Sequence, residues 1–155
     1  MNLKDLPPHM RAQAKQQIEE QKSRLAKPLA YPFEIIFFFR LKSINEYYGE
    51  FADEKRNKRK EEFWVGLEIN SLMNVQTPNR FQYVTITRVM GFGERKFDDG
   101  NLEGGDAKQF VDILTKAGFW KDDSPKYVKI EFEQDDEKNP VNGYTKLRIE
   151  LGDPL

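Results

Sequence analysis

The sequence predicts a single domain of the α+β class, with a mixed, largely antiparallel β-sheet packed by helices. Segments with the apolar pattern of strands are mixed with segments whose apolar residues recur at helical spacing. The 155 residues contain no internal repeat, low-complexity tract or linker that would separate two domains. We therefore expect one domain over residues 31–155, preceded by an exposed helical arm over residues 1–30.

Four segments have the composition of strands. Residues 33–39 (FEIIFFF) are almost entirely apolar, which favours a strand that is buried on both faces. Residues 80–89 (RFQYVTITRV) are rich in β-branched and aromatic residues. Residues 127–133 (YVKIEFE) and 145–151 (TKLRIEL) alternate apolar with charged residues, and the turn-like NPVNGY lies between them. We expect these last two segments to pair as antiparallel strands.

Three segments are predicted helices. Residues 11–25 contain strong helix formers but only a thin apolar stripe, so we expect an exposed arm. Residues 53–73 are charged in their first half and apolar in their second, which favours a helix with a solvated beginning and a buried end. Residues 107–117 place apolar side chains on one face, and Gly118 follows as the kind of residue that ends a helix.

Composition excludes several kinds of site. The 25 Lys and Arg residues balance 26 Asp and Glu residues, so a nucleic-acid partner would have to be bound by a local basic patch. The chain has no cysteine and one histidine, His9, which excludes disulfides, cysteine or histidine metal sites and Ser-His-Asp hydrolysis. The longest apolar run, residues 35–39, is too short to span a bilayer, and we expect a cytoplasmic protein with no membrane partner.

Two pairs of neighbouring aspartates lie on predicted turns on either side of the helix over residues 107–117. Asp98 and Asp99 belong to KFDDGNLEGG, and Asp122 and Asp123 belong to AGFWKDD. Asp, Asn and Gly are common in exposed turns, so each pair could be a turn and nothing more. Carboxylates that converge from separate turns could instead hold Mg²⁺, which prefers oxygen ligands.

Four pieces of the chain, in order, resemble the RusA family of Holliday-junction resolvases. Residues 43–49 (SINEYYG) are similar to the family's Ser/Asn-rich turn with paired aromatics, and residues 97–105 (FDDGNLEGG) to its D-x-D-N-L motif. Residues 108–123 (KQFVDILTKAGFWKDD) resemble its helix with a leading lysine and a terminal Asp pair, and the closing strands end in the same place. The resemblance covers about residues 33–151 and implies a RusA-like fold.

The resemblance implies a homodimeric endonuclease that hydrolyses phosphodiester bonds of branched DNA, above all four-way junctions, in recombination and repair. It also implies Mg²⁺ as cofactor, with Mn²⁺ as a substitute. By position it implies Asp98, Asp122 and Asp123 as metal ligands and Asp98, Lys108 and Asp123 as catalytic residues. We add Asp99 to both sets as the expected substitute for a family carboxylate that this chain lacks. In this scheme Lys108 orients the scissile phosphate or stabilises its developing charge.

Gly100 stands where the family motif has its second carboxylate. Asp99 could take over as ligand if the backbone freedom of glycine lets the turn twist. Alternatively, Glu103 or Asp106 reaches into the site. A third reading is that metal affinity has been lost and the protein binds junctions without cutting them, and a fourth is an interaction protein that keeps only the fold.

The basic run KRNKRK over residues 55–60 is the best local supply of cations for a DNA partner in a chain of net charge −1. Such a run is also typical of a solvated helix face, and the sequence leaves both readings open. The predicted DNA-binding residues are Lys55, Arg56, Lys58, Arg59, Lys60, Arg80, Arg95 and Lys96.

Overall fold

The computed structural model describes residues 3–136 and 141–155, and within these ranges it does not describe the side chains of Leu3, Lys22, Ser23, Arg24 and Asp99. The helices of the described ranges are α1 (Pro8–Leu25), α2 (Ala52–Ile69), the short α3 (Asp99–Leu102) and α4 (Lys108–Lys116). A π-helical turn, Glu103–Ala107, joins α3 to α4. The strands are β1 (Phe33–Phe37), β2 (Arg80–Val89), β3 (Val128–Asp135) and β4 (Tyr144–Pro154).

The four strands form one mixed sheet in the order β1-β4-β2-β3. β4 is antiparallel to both β1 and β2, whereas β2 and β3 are parallel. Parallel neighbours need a crossover connection, and the segment from α3 to α4 provides it by leading from the end of β2 towards the start of β3. The prediction of a single α+β domain with a mixed, largely antiparallel sheet is confirmed.

The predicted antiparallel pairing of the last two strands is wrong. Val84 of β2 lies opposite Ile130 of β3 on one side and opposite Ile149 of β4 on the other, so β2 separates the two strands. Alternation of apolar and charged residues reports that a strand has one buried face. It does not report which neighbour the strand has, and the 11-residue β4 fits between β1 and β2.

β1 is buried on one face, and the prediction of burial on both faces is also wrong. Phe37 is buried at 1% exposure, whereas Ile36 is 44% and Phe38 is 93% exposed. The core residues of α2 and α4 pack with those of the sheet in one cluster, so both helices cover the same face. The opposite face is open to solvent, as is common in antiparallel sheets.

Four phenylalanines fix α2 and α4 on the sheet. The rings of Phe37, Phe39, Phe63 and Phe110 pack with centroid separations of 4.8 to 5.5 Å. The Phe37 and Phe39 rings are stacked and the other pairs are tilted or edge-on, and contacts of these kinds add about 0.5–1.5 kcal/mol per pair to ordinary apolar burial. The cluster thereby sets the position of the basic run on α2 relative to Lys108 at the start of α4.

α2 ends at Ile69, before the predicted end at residue 73. Ser71 has φ 56°, a left-handed conformation that stops a helix, and the N–H of Leu72 donates to the C=O of Leu67 at 2.8 Å. α1 begins three positions before the predicted residue 11 and is largely exposed, with Leu25 at 73%. None of the helices in the described ranges combines the length and apolar composition that a bilayer span requires.

Candidate active site

The loop that carries Asp98 is bonded to β3 through Gln134. The side-chain Oε1 of Gln134 accepts a hydrogen bond from the N–H of Phe97, and its Nε2 donates to the C=O of Phe97, both at 2.8 Å. Asp98 follows directly and is exposed, and its own C=O accepts from the N–H groups of Asn101 and Leu102 at the start of α3. Asp98 is therefore held at the end of the sheet where β2 and β3 finish.

Gly100 lies in α3, and beyond its two chain neighbours and the backbone of its own helix no described atom lies within 4 Å of a Cβ built on it. The glycines with positive φ are Gly49, Gly93 and Gly118, so the idea that Gly100 supplies unusual backbone freedom is wrong for the described structure. The side chain of Asp99, the first alternative ligand, lies outside the described part of the chain. Space is thus available for a carboxylate at position 100.

Glu103, the second alternative ligand, is exposed and faces a cavity of about 230 Å³. Lys96 and Gln134 line the same cavity, so Glu103 lies on the same side of the molecule as the Asp98 loop. Lys96 and Arg95, two of the predicted DNA contacts, are exposed immediately before this loop. This end of the sheet therefore presents both carboxylates and cations to solvent.

Asp106 is not available as a ligand, which removes another of the alternatives. It is fully buried, and its Oδ2 accepts from the N–H of Lys42 at 2.7 Å and from Nη2 and Nε of Arg59 at 2.7 and 3.0 Å. Its Oδ1 accepts from the hydroxyl of Tyr47. Burial raises the pKa of the Asp106 carboxyl to about 7, and the Lys42 N–H opposes that rise.

The π-helical turn before Lys108 docks on the backbone of residues 42–44. A Cβ at Gly105 would lie 2.5 Å from the carbonyl oxygen of Lys42, a distance that only glycine permits. The N–H of Asp106 also donates to that oxygen at 3.1 Å. The turn SINEYYG and the end of FDDGNLEGG, both named in the resemblance, thus meet in space. Lys108 lies exposed at the first position of α4, three residues after Gly105.

The second acidic pair is placed by the end of α4. Gly118 has φ +93°, and the chain then buries Phe119 and Trp120 in the core. The indole Nε1 of Trp120 donates to Oγ1 of Thr115 at 2.6 Å, and Nε2 of Gln82 donates to the C=O of Phe119 at 2.8 Å. These anchors leave the next residues, including Asp122 and Asp123, exposed on a turn.

Asp112 is a neighbour of this pair that the sequence reasoning missed. Although Asp123 is exposed, slight desolvation of its carboxyl, the Asp122 carboxyl and the charge of Asp112 all raise its pKa. Asp112 also lies 4.0 Å from the Nζ of Lys60 on α2. Helical spacing could have drawn attention to Asp112, because it lies on the half-exposed face of α4, one turn after Lys108.

The two acidic pairs are anchored at opposite ends of the sheet. Phe97 is bonded to Gln134, which lies opposite Arg88 on β2, and Phe119 is bonded to Gln82. Gln82 and Arg88 are six positions apart on β2, which corresponds to about 20 Å. Among the side chains that the structure describes, a set that omits Asp99, no three acidic groups converge on a metal position. The expected single cluster of Asp98, Asp122 and Asp123 is therefore not seen in one copy of the chain.

The predicted DNA contacts divide into exposed residues and one buried residue. Arg59 is 7% exposed, and besides Asp106 it bonds to Glu62 and to the C=O of Arg40, so its guanidinium faces the interior and its assignment to the DNA surface is wrong. Lys55 and Lys58 are exposed and line a cavity of about 220 Å³. The other predicted contacts are at least partly exposed, namely Arg56, Lys60, Arg80, Arg95 and Lys96.

No protein-family model matches the chain, and no curated protein has a significantly similar sequence. The assignment to a class of protein therefore depends on the ordered motifs, the fold and the geometry described above. The fold defines a small α+β domain whose parallel strand pair carries exposed aspartates beyond both of its ends.

Proposed function

We propose that this protein is a metal-dependent endonuclease that cuts branched DNA, in particular four-way junctions, by phosphodiester hydrolysis, and that it acts as a homodimer. The observation that carries the proposal is the placement of exposed aspartates beyond both ends of the parallel strand pair, with Asp98 at one end and Asp122 and Asp123 at the other. Slight desolvation and the nearby carboxyls of Asp122 and Asp112 raise the pKa of the exposed Asp123, and a bound divalent cation would offset the repulsion among these carboxylates. The ordered motifs that resemble the RusA family support the same reading.

The residue types suit a hard cation and a phosphodiester substrate. Asp98, Asp122 and Asp123 offer carboxylate oxygens. Asp99 follows Asp98 in the sequence, and Glu103 lines a cavity with Lys96 and Gln134 on the same side of the molecule as the Asp98 loop. Bound Mg²⁺ would lower the pKa of a water molecule and neutralise charge on the phosphate. Lys108, which is exposed and follows the turn fixed by Asp106, would bind a phosphate oxygen in this proposal.

A second copy of the chain is part of the proposal, because the anchors of the two acidic pairs lie about 20 Å apart on the strand. Two copies related by a two-fold axis can bring Asp98 of one copy to Asp123 of the other, and they do so twice. Such a dimer has two equivalent metal sites. It would cut two strands of a junction symmetrically.

The test is a cleavage assay on a labelled four-way junction with Mg²⁺ and with EDTA. Asp98→Asn and Asp123→Asn are assayed separately, and the two variants are then mixed, unfolded and refolded together so that mixed dimers form. Each variant alone is expected to be inactive. Mixed dimers would contain one intact site, because the unaltered Asp98 and Asp123 come from different copies. Recovery of single-strand nicking in the mixture supports the shared site, and two inactive variants that stay inactive together would mean that each site lies within one copy.

A junction-binding protein that does not cut is the second candidate, and two observations favour it. Gly100 occupies the place of a family carboxylate, and the described acidic side chains do not converge in one copy. This candidate predicts tight junction binding with no cleavage at any concentration of Mg²⁺ or Mn²⁺. A wild-type chain that cuts only when metal is present excludes it.

A further inference from the structure

Arg88 is a buried guanidinium on the core face of β2, where the other buried side chains are the neutral Gln82, Val84 and Ile86. It is 3% exposed. Burial of a charge costs free energy unless the charge is paired, and even a paired buried charge is a weak stabiliser. Within the described residues the Nε of Arg88 is buried and has no hydrogen-bond partner. Stability alone therefore does not explain an arginine at this position.

The contacts of Arg88 converge on the loop that leads to Asp98. Nη1 donates to the C=O of Arg95 at 3.1 Å and to Oε1 of Gln134 at 3.0 Å. The guanidinium carbon lies 3.7 Å from the centre of the Phe97 ring, in a cation–π contact. The same Oε1 of Gln134 accepts from the N–H of Phe97, so Arg88 also orients the amide that holds Phe97.

Glu94 lies in a narrow space and bonds Arg88 to the beginning of this loop. Its Oε2 accepts from Nη2 of Arg88 at 2.8 Å, and its Oε1 accepts from the N–H of Gly91 at 3.2 Å and from Nη1 of Arg40 at 3.0 Å. A Cβ built on Gly91 or Gly143 would lie 2.9 or 2.7 Å from that Oε1. The two glycines thus leave room for the carboxylate and for nothing larger.

We propose that Arg88 is a positioning residue for Asp98. The guanidinium holds Glu94, Arg95 and Phe97 at once, and thereby fixes the direction in which the chain leaves Phe97 and presents the Asp98 carboxylate. The loop needs such support because it turns at Gly93, which has φ +79° and loses more conformational freedom than other residues when it is ordered. This role rests on the proposed function in that it takes Asp98 to be a metal ligand.

The first test measures the Mg²⁺ concentration for half-maximal junction cleavage in Arg88→Met, Arg88→Lys and Arg40→Met. Arg88→Met removes the charge and the planar fork but keeps a long apolar side chain, and it should raise the required Mg²⁺ by about tenfold, as expected for loss of a residue that orients a ligand. Arg88→Lys keeps a positive charge near Glu94, so its Mg²⁺ requirement should lie between those of Arg88→Met and wild type. Arg40→Met removes the exposed partner of the same Glu94 carboxylate and should leave the requirement unchanged.

An unchanged Mg²⁺ requirement in both Arg88 variants, or an equal rise in Arg40→Met, would overturn the proposal. Thermal unfolding and junction affinity are measured alongside, because a variant that only weakens the fold loses junction binding and cleavage together. Should Arg88→Met fail to fold, Arg88→Lys alone carries the comparison with Arg40→Met.

The second test does not depend on nuclease activity, and it separates failure of this inference from failure of the proposed function. Amide hydrogen exchange is followed over residues 94–102 and over β4 in wild type, Arg88→Lys and Arg40→Met without DNA. Loss of the guanidinium should speed exchange over residues 94–102 by about tenfold or more while β4 stays protected. If the wild-type protein does not cut junctions but Arg88→Lys speeds exchange only over residues 94–102, the nuclease proposal fails and the support of the loop by Arg88 stands. Unaltered exchange over residues 94–102 would show that Arg88 does not hold the loop.

Discussion

Arg59 and Asp106 form a buried ion pair that joins α2 to the turn before α4. Two nitrogens of the guanidinium, Nη2 and Nε, lie 2.7 and 3.0 Å from Oδ2 of the carboxylate. Tyr47 and the N–H of Lys42 donate to the same carboxylate, so three separate segments meet at Asp106. The pair connects the basic run to the loop of the candidate active site.

Arg59→Met is expected to lower the free energy of unfolding by about 3–5 kcal/mol, because Asp106 then stays buried without its cationic partner and without the two hydrogen bonds that Arg59 donates. Urea unfolding at neutral pH measures the change. Arg56→Met is the matched control on the same helix, since Arg56 pairs with the exposed Asp53 at 3.2 Å and should cost at most about 1 kcal/mol. Equal losses in the two variants would contradict the assignment of Arg59 to the interior pair.

Asp98→Asn and Asp123→Asn should each reduce junction cleavage by at least about 100-fold, because each removes a charged metal ligand. Phosphate contacts from lysine and arginine remain, so the Kd for the junction should change by less than about threefold. Gel-shift and cleavage assays on the same labelled junction measure both quantities. Glu131→Gln, on the open face of the sheet, serves as the control for loss of an exposed carboxylate. Wild-type cleavage by either aspartate variant would exclude that residue from the site.

Neutralising Lys55 and Lys58 together should make junction binding less sensitive to salt. Each phosphate contact that is lost should lower the slope of log K against log salt by about 0.9, so the double Gln variant should lose about 1.8. Lys15→Gln combined with Lys129→Gln removes the same charge from α1 and from the open sheet face and should leave the slope unaltered. If both double variants changed the salt dependence of junction binding equally, Lys55 and Lys58 would be only part of a solvated helix face.

Gly100→Asp should lower the Mg²⁺ concentration needed for cleavage. The position is helical and open, so the new side chain fits without strain, and an added carboxylate raises affinity for a hard cation. A Mg²⁺ titration of junction cleavage measures the effect, with Gly100→Asn as the control for a side chain of equal size and no charge. A fall in cleavage by Gly100→Asp but not by Gly100→Asn would mean that Asp99 already serves as the metal ligand in place of the missing carboxylate. Asp99→Asn should then reduce cleavage as much as Asp98→Asn does.

Local chemistry determined which elements this chain forms. The β-branched run of residues 80–89 became β2 with the predicted bounds, and Gly118 ended α4 in the left-handed conformation that glycine favours. The single α+β domain followed from the same patterns, because each depends on residues that are neighbours along the chain. The motifs around Asp98 and Asp123 were also visible at this level.

Tertiary structure alone decided which strands pair with each other and which charged side chains are buried. The alternation in β3 and β4 could not reveal that β2 lies between them, since the pattern of one strand carries no record of its neighbour. Arg59 stands in a basic run yet is buried, because Asp106, 47 residues away, neutralises it. Arg88 gave no signal in the sequence for the same reason, because its surroundings come from chain segments that only folding brings together. Helical spacing placed Asp112 one turn after Lys108, but only folding showed that it neighbours Asp123. The separation of the two acidic pairs likewise follows from the fold. The first pair follows the end of β2 and the second precedes the start of β3, and because these strands are parallel the two pairs lie at opposite ends of the sheet.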